Sequence, residues 1–313
     1  MFKREPSTGK FSGGEQPVGE VENEAGNFAR LPRKTNMPTT WVPSFPDTSD
    51  DTVAESVMCR TLTDLVHQRK FSSVNDSVLA VFAGDFDRTV FRKLGFDNIT
   101  FTNMSSTVAA PVDAMRMPYA DRSFQHVIAH AGIHHASRPH QSVCEMYRVA
   151  SDSVIFFEAQ DSPLMRLAVK AGLTVEYEWN AILDHGMRRG GVDDLPIPNH
   201  VYRWTRREVL KLVRSLDPAH IPDVEFFTEW DFGYKRIARR LQRTPIGVIP
   251  APVLELACSV VIKLFNLLFR HWGNSFVCRI GKSKTDQPWM QDGRFLPPGG
   301  IIVTEVQKDT EPS

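Results

Sequence analysis

The chain has 313 residues, 42% hydrophobic and 24% charged, with 37 basic and 37 acidic side chains. This is globular composition, long enough for one large domain or two small ones. The zero net charge supplies no global basic field, so a nucleic acid partner is not expected. Cys59, Cys144, Cys258 and Cys278 lack zinc-ligand or redox spacing. They read as buried, reduced thiols of a cytoplasmic protein. The opening Met-Phe-Lys-Arg-Glu-Pro has no apolar core of a signal peptide.

Residues 1–49 are rich in Gly, Pro, Ser and Thr and bury too little to offset their ordering entropy. They read as a mobile tail whose Trp41-Val42-Pro43 end docks on the domain. The domain is expected over 50–285, followed by a C-terminal tail, 286–313. Residues 50–69 carry Val53, Val57, Leu62 and Leu65 on one helical face, with Asp50 or Thr52 as cap. Alternation typical of α/β proteins follows. Strands are expected at 77–83, 98–102, 108–113, 124–131 and 154–158, with helices at 88–94 (ending at Gly95), at 139–149 and from Pro163.

The alternation pauses over about 174–204, where Gly190, Gly191 and four aromatics suggest a lid. Its His185, Arg188, Arg189, Asn199, His200, Tyr202 and Arg203 put polar tips beside apolar rings, suited to a small polar ligand. Thr205-Arg-Arg-Glu208 is a capping box that opens the next helix. A strand at 224–232, an apolar helix over about 252–270 and a last strand at 275–280 complete the domain. The apolar helix has a narrow polar stripe of Glu255, Ser259, Lys263, Asn266 and Arg270. Two charges inside it argue against a membrane span, which needs ~20 apolar residues with few charges. We expect it packed deep against the domain, with a membrane-surface or homodimer contact as the alternative.

The segment from Asp113 to Glu158 reads as strand end, turn, strand, helix, strand, with polar residues where strands stop. Open parallel sheets bind ligands beyond those ends. This stretch resembles the middle of a class I S-adenosylmethionine (SAM) dependent methyltransferase. The resemblance covers about 75–170 and implies a Rossmann-like three-layer sandwich, its seven-stranded sheet mostly parallel with an antiparallel last strand. It implies SAM as cofactor, held by Ala83, Gly84, Asp85, Asn103, Met104, Asp113, Ala114, Met115 and His130. Asp113 would accept from the adenine amine while Met115 packs on the ring. The sequence departs from the family at the glycine-rich loop. Only Gly84 remains, Phe82 and Phe86 flank it, and Ala80 and Asn103 stand where acids are common. Asp85 or Asp87 would replace lost contacts if the loop still closes over SAM; the alternative is a decayed site in a binding or scaffold protein.

The end of the fourth family strand faces the transferred methyl, which makes His130 and His134 candidate proton acceptors, while Glu158 would orient substrate or cap the next helix. His126, His130, His134, His135 and His140 invite a metal reading, but no carboxylate or thiolate completes a set with metal spacing, so none is expected. The expected reaction is methyl transfer to a small-molecule hydroxyl acceptor. A saccharide is suggested because Ile197–Trp204 resembles bacterial methyltransferases of surface-polysaccharide pathways. A nicotinamide reductase is disfavoured, lacking Gly-x-Gly-x-x-Gly.

Overall fold

The computed structural model describes residues 56–284 apart from 69, 72, 106–110 and 219–222. Both predicted tails, the Trp41–Pro43 contact and the caps at Asp50 and Thr52 lie outside these residues. Helix α1 (Val57–His67) is capped by Ser56, whose hydroxyl accepts from Cys59 N–H at 3.1 Å. Strand β1 (Val78–Val81) leads into α2 (Asp85–Lys93) and β2 (Ile99–Phe101). The second helix starts three residues earlier than its apolar pattern suggests. Gly84 is its N-cap, and Asp85 and Asp87 occupy the first turn, where acids meet the positive end of the helix. It stops before Gly95, whose φ of +74° suits glycine.

Then come β3 (Phe124–His130), α3 (Pro139–Val149) and β4 (Ala150–Gln160). Helix α4 (Pro163–Lys170) has Pro163 in its first turn and Ser162 accepting from Met165 N–H. Short α5 (Trp179–Leu183) lies in the lid, and β5 (Arg203–Trp204) leads to α6 (Arg206–Leu216), which opens with the predicted Thr205–Glu208 box. Strand β6 (Val224–Glu229), α7 (Tyr234–Leu241), α8 (Ala251–Phe269) and β7 (Ser275–Gly281) follow.

The sheet runs β2-β1-β3-β4-β7-β6, with β5 beside the end of β4. β1, β2, β3 and β4 pair parallel, and β7 lies antiparallel between β4 and β6. Successive side chains point to opposite faces. Leu79 and Val81 pack under α3 and α6, whereas Val78 and Ala80 pack under α1 and α2. This is the expected three-layer α/β architecture with seven strands. The seventh strand is not the one expected: residues 111–113 form no strand, and Val112 N–H makes a backbone bond to Asn103 O at 3.0 Å. β5 supplies it instead.

The apolar helix departs from expectation. Only Leu254 and Cys258 of α8 are buried, whereas Leu256, Leu264, Leu267 and Leu268 are exposed. The deep packing expected from its composition does not occur, because the helix meets only α7, through Leu254 and Cys258, and the Trp230 region, through Phe265 and Asn266.

Candidate active site

At the C-terminal ends of β3 and β4 the chain gathers most of its predicted chemistry. His130 closes β3, and its Nδ1 lies 2.9 Å from Asp87 Oδ1. The other oxygen of Asp87 accepts from Gly84 N–H at 2.7 Å. One buried carboxylate thus caps α2 and fixes the His130 ring, which stacks on Phe86. Asp87 was expected to replace contacts to a cofactor; its oxygens serve this bridge instead. An acid on Nδ1 selects the tautomer that leaves Nε2 as acceptor, and Nε2 has no hydrogen-bond partner among the described residues.

Glu158, at the end of β4, is buried. Oε1 accepts from Gly132 and Ile133 N–H at 3.0 and 2.8 Å, and Oε2 lies 2.6 Å from His134 Nδ1. It therefore organises the turn after β3, and Ser162 caps the following helix in its place. His134 reaches Glu178 of the lid through Nε2 at 3.3 Å, and His135 meets the same carboxylate at 3.3 Å. Burial alone would lower the His134 pKa, but the charge and hydrogen bonds of Glu158 and Glu178 overcome it and raise it to about 10. His134 is thus a held cation and is poorly suited to accept a proton near neutrality. Burial pushes the Glu178 carboxyl up, yet hydrogen bonds and charge from His134 and His135 hold it well below the usual range. Asn199 Nδ2 donates to Glu178 at 3.2 Å, completing a clasp between lid and sheet.

His134, His135 and Glu178 place ligand-capable atoms within 4.8 Å of one another. The expectation that no carboxylate completes a histidine set is corrected by Glu178. The other histidines part company. His126 lies at the start of β3, hydrogen-bonded between Ser153 and Asp76, and burial lowers its pKa. His140 pairs with Glu208. Tyr202 also bonds Glu208 and Arg203 donates to backbone carbonyls, so these lid residues brace the fold.

A cavity of about 870 Å³ opens here, lined in part by His130, His134, Glu158 and Glu178. Its other wall is basic, with Lys235, Arg239, Arg240 and Arg243 from α7 and the turn after it. Sequence reasoning missed Glu178, which has no motif, and missed this wall, although Lys235, Arg239, Arg240 and Arg243 recur at helical spacing.

The remaining predicted residues lie along the ends of β1 and β2 and do not line that cavity. Asn103 Nδ2 donates to Ala83 O at 3.1 Å and its Oδ1 accepts from Ser105 N–H at 2.9 Å. Asp113 Oδ1 accepts from Met115 N–H at 2.8 Å, with Ala114 and Met115 buried beside it. The loop beyond is anchored by Arg148, fully buried, which ion-pairs with Glu145 and Asp121 and donates to Met117 O and Tyr119 O. Arg189 of the lid donates to Ser105 Oγ at 3.2 Å. Gly84, Asp85 and Met104 sit at the loop surfaces nearby.

Residues 102–157 match the family model described as a methyltransferase domain. The matched span runs from the end of β2 into β4, and the strand order is that of a Rossmann-like methyltransferase fold. No curated protein matches the chain. Among solved structures, a Pyrococcus horikoshii OT3 protein is 14% identical, with 77% of this chain and 97% of that one covered at a TM-score of 0.41. The plantazolicin methyltransferase BpumL, in complex with SAH, is 12% identical over 72% and 82%, with a TM-score of 0.39. The [4+2]-cyclase SpnF is 18% identical over 72% and 82%, with a TM-score of 0.37.

The methyltransferase family implies a SAM-type cofactor. The residues of the domain fit its adenosine end: the second oxygen of Asp113 accepts no hydrogen bond among the described residues, and Met115 offers a soft apolar surface. The other end is altered. Phe82 has φ +57°, a conformation that glycine adopts freely and a bulky residue rarely does. Its side chain lies against Gly132, where a Cβ would meet Phe82 Cβ at 2.2 Å. A phenylalanine therefore bridges the ends of β1 and β3.

Proposed function

We propose that the domain transfers a methyl group from SAM to a hydroxyl of a small polar acceptor held in the cavity beside His130. The observation that carries this reading is the Asp87–His130 pair at the end of β3, with the imidazole lining the cavity. When bound, SAM supplies an electrophilic methyl; Asp113, Asn103, Met104, Ala114, Met115 and the 83–85 loop would hold it. Asp87 keeps the proton of His130 on Nδ1, so Nε2 can take the acceptor's proton as its oxygen attacks. The charged His134 keeps the lid on the sheet, which excludes water and orders the acceptor. The basic wall supports an acceptor with a phosphate or carboxylate, such as an acidic sugar or metabolite.

Phe82 favours a second reading, a domain whose cofactor site has decayed into a binding function. Calorimetry with S-adenosylhomocysteine separates the two. Heat on titration into the native chain, with transfer to a phosphorylated or carboxylated sugar, supports the enzyme. Absence of heat at millimolar ligand, with binding gained in Phe82→Gly, establishes decay.

A further inference from the structure

Antiparallel neighbours can be joined by a two-residue turn. β6 and β7 are such neighbours, yet residues 230–274 separate them. That excursion is built from α7 and α8, which pack together through Ala238, Leu254 and Cys258. Helix α8 is apolar on two faces: Leu254, Cys258 and Phe265 turn toward the domain, and a second apolar stripe turns away from it. Asn266 faces inward and exchanges hydrogen bonds with the backbone of Trp230 at 2.7 and 3.0 Å. Outward, Leu256, Val260, Val261, Leu264, Leu267 and Leu268 follow one another at helical spacing, Leu267 and Leu268 being 75% and 72% exposed. A contiguous exposed stripe of this kind marks an interaction surface.

Its charge identifies the occupant. From Tyr234 to Trp272 the sequence holds seven basic residues (Lys235, Arg236, Arg239, Arg240, Arg243, Lys263, Arg270) and one acid, Glu255, in a chain whose total charges balance. Exposed Trp272 ends the stripe, as aromatics do at a headgroup boundary. We propose that α7 and α8 form a docking surface for anionic phospholipid, with the leucine stripe seated at the acyl boundary and the basic residues among the headgroups. Residues 251–272 are long and apolar enough to span, at a mean hydropathy of 1.8. The helix instead lies flat, because Leu254 and Cys258 pack its first half on α7, while Asn266 and the Trp230 indole, which donates to Phe269 O at 3.0 Å, tie its end to the domain. A second copy is a poorer occupant, since a symmetric contact would bring two basic helices together. The cavity shares Lys235, Arg239, Arg240 and Arg243 with this surface, so the bilayer would lie near its rim.

The test is flotation of the full chain, without cofactor, on phosphatidylcholine vesicles with and without phosphatidylglycerol. Binding is expected on the anionic vesicles and should weaken with salt. Leu267→Asp, at an exposed position that leaves the core intact, should lower the partition coefficient about tenfold or more. Arg270→Glu should lower it roughly fivefold or more. No flotation on anionic vesicles overturns the proposal, and so does flotation unchanged in both variants. A concentration-dependent dimer in lipid-free sedimentation that Leu267→Asp abolishes also overturns it, assigning the stripe to a second copy. Because no cofactor is present, the result is independent of whether methyl transfer occurs.

Discussion

Asp87 holds Nδ1 of His130 at 2.9 Å with one carboxylate oxygen and the N-cap amide of α2 at 2.7 Å with the other. The imidazole is therefore tied to the start of α2, at the loop after β1. Asp87→Asn keeps the shape but can present its amide to Nδ1, which favours the wrong tautomer. On the proposed mechanism His130→Ala should reduce turnover on the order of 10²–10⁴-fold. Asp87→Asn should lower kcat more than it raises KM for acceptor and should shift the pH profile. A merely structural role would lower both variants' melting temperatures and leave the profile of the remaining activity unmoved.

Arg148 has no exposed surface and compensates two carboxylates, Glu145 and Asp121, while binding two carbonyls of the loop after Asp113. Removing it leaves buried negative charge unpaired. Arg148→Ala should destabilise the domain by about 3–5 kcal/mol, read from urea unfolding. Loss of less than about 1 kcal/mol would mean that the network is open to water.

The architecture was legible where local chemistry repeats. The Thr205–Glu208 box, Pro139 and Pro163 in first turns and the buried strand runs all mark elements that formed where expected. The pair Asp87–His130 was half legible. Both residues drew attention, but partners 43 positions apart meet only through the β1–β3 register. Glu178 was invisible because its importance comes from two histidines on another element. The α8 helix misled for a physical reason: composition reports how apolar a helix is, and how many of its apolar faces find a neighbour depends on the rest of the fold, which composition cannot identify.

The clasp between His134 and Glu178 makes a pH prediction. The ordinary histidine value is 6.5 and the folded value is about 10. A raised pKa contributes stability that is complete below about 6.5 and fades as pH rises through 10, because the unfolded chain releases the proton first. Glu178 has the opposite sign: its contribution is present above the ordinary carboxylate value and is lost in acid. Melting temperature should therefore fall from pH 7 to 10 more steeply in the native chain than in Glu178→Gln. Parallel curves in that window would show that the clasp does not hold in solution.

Gly132 has φ −136°, which any residue adopts, so the demand for glycine there comes from space alone. A methyl group would meet Phe82 Cβ at 2.2 Å and its ring carbon Cγ at 2.7 Å. Gly132→Ala should thus cost about 1–3 kcal/mol by overpacking. Phe82→Gly removes both the obstacle and a strained left-handed phenylalanine. The double variant should recover most of the loss, giving a coupling of about 1–3 kcal/mol in a thermodynamic cycle. Additive effects would mean that Phe82 does not rest on Gly132 in solution and that the ends of β1 and β3 stand open to a cofactor.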